Sequence, residues 1–378
     1  MYRRVGGAIY AERAFALFLA ALAPQVQKLK LIGRLAPTCD QTRYALPPAI
    51  ELSPLGHYAS LAHPGAVLRS LVGSLGQMIR ALDDVDVVWV LGPYPHAYLL
   101  VLIALARRRT VVLGVRQDWP RYVRMRHPGR RWMHLAADLM EWIWLTMARW
   151  LPVVAVGPEL SARYAHAPAV LDLTVSLVPG AAVLEAPPSR DYGSELRILS
   201  VGRLDEEKNP LLLADILAKL DARWRLIVCG EGDLAPALST RLAELGLADR
   251  ATLLGYVAMG SELLDLYRTS HALLHVSWTE GFPQVLIEAF ASGLPVVATA
   301  VGGVTEGVGD AGLLIAPGDP EPASEALLSI ARKPELRDRL SLAGLQLARG
   351  LTLEAQTARL VSFLAAARPL TRACRSVS

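Results

Sequence analysis

The chain has 378 residues, enough for two domains with a large core. Its 53% hydrophobic and 20% charged residues exclude a disordered or fibrous protein. The net charge of +4 hides an asymmetry: residues 1–182 hold 20 Lys and Arg against 11 Asp and Glu, residues 183–378 hold 19 against 24. Two halves of opposite charge imply different partners.

Cys39, Cys229 and Cys374 lie far apart without metal or redox spacing, which fits free thiols in a reducing compartment. The start is basic, but Glu12 and Arg13 interrupt the apolar run that follows, so no secretory signal is expected. The uncharged window 87–106 has the length of a membrane span. Gly92-Pro93-Tyr94-Pro95 divides it, so a buried strand, a loop and a helix are expected instead.

From the amino end, a Gly6-Gly7 loop precedes an apolar helical face at residues 10–23, and residues 29–33 read as a strand. A glycine loop before a helix should itself follow a strand, yet only residues 1–4 precede it; the expectation is either a stunted first strand or, in preference, a start upstream of Met1. Residues 35–65 read as loop with an edge strand, 64–82 as helix, 84–92 as a buried strand, 96–108 as helix and 110–115 as strand. This alternation is the doubly wound pattern, whose ligands gather at the carboxyl ends of strands. Tyr94, Pro95, His96, Arg116, Gln117 and Asp118 are therefore candidate cleft residues. For His96 a packed or capping role outweighs a catalytic one.

Residues 107–131 hold nine arginines and one acid, Asp118, and an apolar helix carrying Trp142 and Trp144 follows. Basic residues beside amphipathic aromatics fit an anionic membrane surface or a phosphate-bearing lipid; a solvated rim over a core helix fits slightly better. No nucleic-acid partner is expected, because no reading motif accompanies the basic run. Strands at 151–157 and 171–178 close the first half, with a helix at 159–166 between them. Residues 186–194, rich in Pro, Ser and Gly, read as the linker.

The second half opens with a strand at 196–201, followed by Gly202-Arg203-Leu204-Asp205-Glu206-Glu207-Lys208. Arg203 and Lys208 can offset the charge on a departing diphosphate. Strands at 225–229 and 252–257 follow, the first ending in Gly230-Glu231-Gly232. The strand at 271–276 runs into Ser277-Trp278-Thr279-Glu280-Gly281-Phe282-Pro283, and residues 285–291 form a buried helix. A helix start beside a glycine loop attracts an anion. Glu280 at its mouth and Glu288 further in can accept from sugar hydroxyls but cannot bind phosphate. The stretch suits a molecule with hydroxyls on both sides of a phosphate.

Glu280 and Glu288, the small-residue helix after them and Gly293-Leu294-Pro295-Val296-Val297-Ala298-Thr299 resemble the signature of the retaining glycosyltransferases of family 4. Gly202-Arg203-Leu204 with Lys208, and Gly302-Gly303 with Glu306, are similar to two further signatures of that family. The resemblance covers roughly the whole chain and is strong over 201–306. It implies an α/β fold of GT-B architecture: two Rossmann-like doubly wound domains facing an interdomain cleft. The domains expected are 1–184 for the acceptor, with a truncated first strand, and 195–350 for the nucleotide sugar. A helix over 351–378 is expected to pack back on the first.

The resemblance further implies a hexosyltransferase that uses a nucleoside-diphosphate sugar as co-substrate, with no cofactor and no metal. The donor residues it implies are Gly202, Arg203, Lys208, Gly230, Tyr256, Val257, Glu280, Gly281, Phe282, Glu288 and Gly303. Arg203, Lys208 and Glu280 are the catalytic ones. On the acceptor side it points to Gly6, Gly7, His96, Arg116 and Asp118, with Arg116 where many members have a histidine. The acceptor expected is a glycan or lipid-linked glycan, and the location cytoplasmic, peripheral at the inner membrane face. An epimerase of the same fold and a non-catalytic nucleotide-sugar-binding protein stay open; a phosphorylase lacks a pyridoxal lysine site.

Overall fold

The computed structural model describes residues 2–5, 8–36, 44–58 and 63–367. Gly6, Gly7, Cys39 and Cys374 lie outside them. The chain divides into two compact units, Met1–Val175 with Gln356–Ser378, and Ser176–Ala355. The crossings fall at 175/176 and 355/356 rather than at the linker expected after residue 184. Residues 176–184 are tied into the second unit: Leu184 donates to the Ala291 carbonyl (2.9 Å), and Leu353 to that of Val178 (2.7 Å).

The first unit runs β1 (Tyr2–Val5), β2 (Ala8–Ala11), α1 (Phe15–Leu22), β3 (Leu29–Arg34), β4 (Tyr44–Ala45), β5 (Ile50–Leu55) and α2 (Pro64–Ala81). It continues β6 (Val87–Gly92), α3 (Pro95–Ala106), β7 (Thr110–Val115), α4 (Trp119–Arg126), α5 (Arg131–Met147), β8 (Val153–Val156), α6 (Pro158–Arg163) and β9 (Val170–Leu173). β6 to β9 form a parallel sheet in chain order, and β3 pairs in parallel with β5. The uncharged window 87–106 is β6, a turn and α3. No helix among the described residues is long and apolar enough to cross a membrane.

The start departs from expectation. Tyr10 and Ala11, read as helical, are strand residues: β2 pairs antiparallel with β1 and with β4. No described strand joins β3 to β6, so the doubly wound sheet is interrupted between them. A cavity of about 760 Å³ occupies the gap.

The second unit is regular. It comprises β10 (Leu196–Val201), α7 (Leu212–Ala218), β11 (Trp224–Cys229), α8 (Ala235–Glu244), β12 (Ala251–Gly255), α9 (Ser261–Thr269) and β13 (Ala272–His275). Then follow α10 (Gln284–Ala291), β14 (Val296–Thr299), α11 (Gly303–Val308), β15 (Gly312–Ile315), α12 (Pro320–Arg332), α13 (Pro334–Gly350) and the start of α14 (Leu353–Ala366). α14 passes back into the first unit, where Gln356 accepts from the Thr174 amide and Arg359 donates to the Asp172 carbonyl.

All six strands are parallel, in the order β12-β11-β10-β13-β14-β15. Side chains alternate across this sheet, so Ile198, Leu226 and Leu274 join one core while Leu199, Leu273 and Val296 join another. The strand order reverses between β10 and β13. In such sheets the crevice outside the carboxyl ends at the reversal is where ligands bind.

Candidate active site

Both loops at the reversal carry the residues singled out from the sequence. After β10 the chain passes Gly202 and Arg203 and makes a tight turn over Glu206–Lys208. After β13 it passes Ser277 and Glu280 before α10. Trp278 N–H donates to the Glu207 carbonyl (2.9 Å) and ties the two loops together. Thr299 Oγ1, at the end of β14, fixes the Ser277 carbonyl (2.7 Å).

Charge is organised around one oxygen. Glu280 Oε1 accepts from Ser277 Oγ (2.8 Å), His275 Nε2 (3.0 Å) and the Lys208 ammonium. The Lys208 and Glu280 side chains are only 18% and 9% exposed, so solvent screens this pair little. Burial would raise the Glu280 carboxyl, but the His275 hydrogen bond and the Lys208 charge outweigh it and hold it down to about 2. None of these bonds uses Oε2, which leaves that oxygen for a further donor. Glu207 continues the network, with Oε1 3.4 Å from Lys208 Nζ and 2.9 Å from Arg203 NH2. Arg203 also pairs with Asp205. Arg203, Lys208 and Glu280 thus belong to one chain of contacts.

Glu288 is placed differently. It is buried in α10, and its Oε2 accepts from the Tyr267 hydroxyl (2.7 Å) of α9. Burial raises its carboxyl, with the Tyr267 bond opposing.

The glycines hold the loops at contact distance. A Cβ on Gly230 would lie 1.7 Å from the Gly202 carbonyl oxygen, and one on Gly303 would lie 2.2 Å from that of Gly281. The loops after β10, β11, β13 and β14 therefore touch backbone to backbone. Phe282 is half-buried against the core and covers Gly307, while Gly281 is exposed. Tyr256 is exposed and Val257 half-buried just after β12.

Of the acceptor-side candidates, His96 and Arg116 line the cavity between β3 and β6, and Asp118 does not. His96 is packed, not free: its Nε2 donates to Ser70 Oγ (3.0 Å), which itself donates to the Gly56 carbonyl, and its ring stacks on Tyr58. Asp118 caps α4 by accepting from Arg121 N–H (3.0 Å) and pairs with Arg163 at 2.6 Å. The Arg116 guanidinium lies 4.1 Å over the Phe15 ring. Asp118 and Arg116 thus have structural partners where a cleft role was expected.

Residues 186–346 match the family described as Glycosyl transferases group 1. Over 192 residues the chain is 34% identical to the D-inositol 3-phosphate glycosyltransferase of Thermobifida fusca, 47% of this chain and 43% of that protein. Over 138 residues it is 34% identical to the phosphatidylinositol N-acetylglucosaminyltransferase gpi3 subunit of Schizosaccharomyces pombe, 35% and 30% of the two chains. The matches thus span less than half of these relatives. The crystal structure of Anabaena Alr3699/HepE in complex with UDP superposes with a TM-score of 0.71 at 16% identity, covering 96% of this chain and 98% of that one. The fold is that of the GT-B glycosyltransferases.

Within the matched stretch, sequence reading missed His275, Ser277, Glu207 and Tyr267. His275 and Ser277 had a signal: two polar residues at period two closing an otherwise apolar strand. Tyr267 had none, because a tyrosine on an amphipathic helix reads as ordinary core.

Proposed function

We propose that the protein is a retaining glycosyltransferase that moves a sugar from a nucleoside-diphosphate sugar to a hydroxyl of a glycan or lipid-linked glycan. The observation that carries this reading is the Arg203–Glu207–Lys208–Glu280 network at the strand-order reversal of the second unit. In this reading the diphosphate lies against Arg203 and Lys208, whose charges offset the negative charge that builds as the bond from anomeric carbon to phosphate oxygen breaks. The electron pair leaves with the diphosphate. The acceptor oxygen attacks from the same face, and its proton passes to the departing phosphate oxygen. Glu280, anchored through Oε1, turns Oε2 to the sugar hydroxyls together with the Gly281 and Phe282 amides, and Glu288 takes the ribose hydroxyls. No observation favours the epimerase or the non-catalytic alternative.

The decisive experiment incubates the protein with labelled UDP- and GDP-sugars and follows release of nucleotide and sugar. Slow hydrolysis of one donor, giving the sugar first in the donor's anomeric configuration, supports the reading. Isomer exchange, or binding without release in every case, overturns it.

The same reading places the protein at the cytoplasmic face of an anionic membrane. On α5, Trp132, Leu135, Leu139 and Trp142 follow one another at helical spacing and are all half or more exposed. Leu68, Val72 and Leu75 are likewise exposed at helical spacing on α2, the first two by more than half, and an apolar pocket of about 250 Å³ lies between the helices, lined by Leu71 and Met140. Exposed Arg130 and Arg131 immediately precede Trp132 in the chain. Exposed tryptophan and leucine beside arginine suit a bilayer interface. A lipid acceptor accords with the phosphatidylinositol in the name of the Schizosaccharomyces pombe relative.

A further inference from the structure

Charge is matched at one end of the first unit's cavity and unmatched at the other. At the amino ends of β3 and β6, Lys28 Nζ lies 3.0 Å from Glu51 and Lys30 Nζ 3.6 Å from Asp84. At the carboxyl ends stand the guanidiniums of Arg13, Arg34 and Arg116, and none of them pairs with a carboxylate among the described residues. The acids closest in sequence are taken: Asp118 pairs with Arg163 at 2.6 Å, and Glu12 with Arg3 at 3.9 Å.

Three strand ends supply the cluster. Arg34 closes β3, Tyr94 stands two residues past β6 and Arg116 follows β7 directly, while Arg13 comes from the turn between β2 and α1. All four line the cavity, as do Tyr58 and His96. Burial raises the Tyr94 hydroxyl, and the charges of Arg116, Arg13 and Arg34 all oppose the rise. One phenol thus lies in the field of all three cations.

Two of the guanidiniums are held ready to donate. Arg116 lies 4.1 Å over the Phe15 ring, and Arg34 4.2 Å over the Tyr58 ring. Stacking occupies the face of a guanidinium and leaves its N–H edge, whose fork matches phosphate or carboxylate oxygens. Arg34 gives one of those hydrogens to the Tyr58 carbonyl (3.1 Å) and keeps the others. The start of α3 adds to the field: the helix is 12 residues long, no side chain caps its first turn, and its positive end lies beside Tyr94. His96, in that turn, is 7% exposed, and its Nδ1 has no partner among the described residues. With Nε2 donating to Ser70, Nδ1 can only accept, and a ligand hydroxyl would satisfy it.

Three like charges without an acid repel one another, and a ligand offsets them in proportion to its own charge. A neutral sugar offsets nothing and a carboxylate offsets one. A phosphate monoester carries about 1.5 to 2 negative charges at neutral pH and offers three oxygens. We infer that the cluster is an anion site for the acceptor, a phosphate ester of a polyol whose phosphate is held by Arg13, Arg34 and Arg116 and whose hydroxyl meets His96. Its role as acceptor rests on the transferase reading; the anion site stands on the first unit alone.

Calorimetric titration of the full chain with glycerol 3-phosphate, glycerate and glycerol, without nucleotide sugar, tests the site. Glycerol 3-phosphate should bind at least tenfold more tightly than glycerate and more weakly as salt rises, and glycerol should not bind. Arg34→Gln and Arg116→Gln should each weaken binding tenfold or more. Arg34→Lys and Arg116→Lys, which keep the charge without the fork, should recover part of it, with melting curves showing that each variant is folded. Vesicles of phosphatidic acid carry the same group on a lipid: binding to them alone, lost in the same variants, assigns the phosphate to a lipid acceptor, and binding of glycerol 3-phosphate alone assigns it to a free ester. No binding of either probe overturns the site. So does an equal loss in Arg149→Gln, an exposed arginine outside the cavity. A loss confined to Lys208→Ala places the phosphate at the donor site and overturns it too. Phosphate binding that follows the Arg34 and Arg116 variants in a protein that hydrolyses no donor keeps the anion site and overturns the transferase reading; donor hydrolysis without phosphate binding does the reverse.

Discussion

Lys208 and Glu280 lie 72 positions apart in sequence and meet in one ion pair. The pair bridges β10 and β13, the two strands between which the sheet order reverses. A diphosphate entering that crevice would compete with Glu280 for the ammonium. Lys208→Ala should therefore lower kcat for donor hydrolysis by about 100-fold while changing the donor KM only a few-fold. Lys208→Arg should restore part of it. Steady-state kinetics on the preferred donor decide the matter; a change in KM alone would make Lys208 a plain binding residue.

Glu280 has a pH signature. Its carboxyl is held down to about 2 in the fold, against an ordinary 4.5. A lowered carboxyl adds stability that is complete above the unfolded value and disappears as pH falls towards the folded one. Acid denaturation followed by near-ultraviolet circular dichroism should thus be steeper between pH 4.5 and 2 for the natural protein than for Glu280→Gln. Identical acid limbs would contradict the network.

Glu288 has the opposite sign. Burial raises its carboxyl, so its share of stability is greatest below the unfolded value and is lost as pH rises through the folded one. Glu288→Gln keeps an acceptor for the Tyr267 hydroxyl and removes the buried charge. It should be more stable at pH 8 by about 1 kcal/mol, while nucleotide affinity falls about tenfold. Melting curves and nucleotide titrations of one preparation read both effects.

Gly303→Ala tests the loop contact. The added methyl would lie 2.2 Å from the Gly281 carbonyl oxygen, backbone against backbone, so one loop has to move. A loss of about 2 kcal/mol in stability is expected, with an activity loss of at least tenfold as the Gly281 and Phe282 amides shift. Gly65→Ala, where a Cβ meets nothing within 4 Å, is the control and should be silent in both assays.

For the membrane face, replacing Trp132, Leu139 and Trp142 together by Ser should reduce sedimentation with phosphatidylglycerol vesicles by tenfold or more, without lowering donor hydrolysis. The natural protein should release from those vesicles as salt rises and should ignore phosphatidylcholine vesicles. Equal binding to both lipids would remove the role given to the arginines.

The second unit was almost fully legible before any coordinates. Its strands are buried on both faces and read as short apolar runs, and its glycine and proline turns punctuate them at short range. Arg203, Lys208 and Glu280 stood out because local sequence puts each at the end of such a run. Strand order did not follow from the residues, since pairing of β10 with β13 is a non-local contact. The arrival of Lys208 at a Glu280 oxygen already held by the neighbouring His275 and Ser277 depends on it.

The first unit shows the converse. Tyr10 and Ala11 satisfy a helical apolar pattern yet form a strand, because pairing with β1 and β4 overrides a weak local preference. Asp118 and His96 sit at strand ends as a ligand-binding residue would, but their partners Arg163 and Ser70 come from elsewhere in the chain.

Local residue order was sufficient for the elements, the turns and the identity of the charged groups, since each depends on neighbours a few positions away. The direction each charge faces and the partner that holds it came only with the folded chain. Those depend on which distant strands lie side by side, and period and composition carry no record of that.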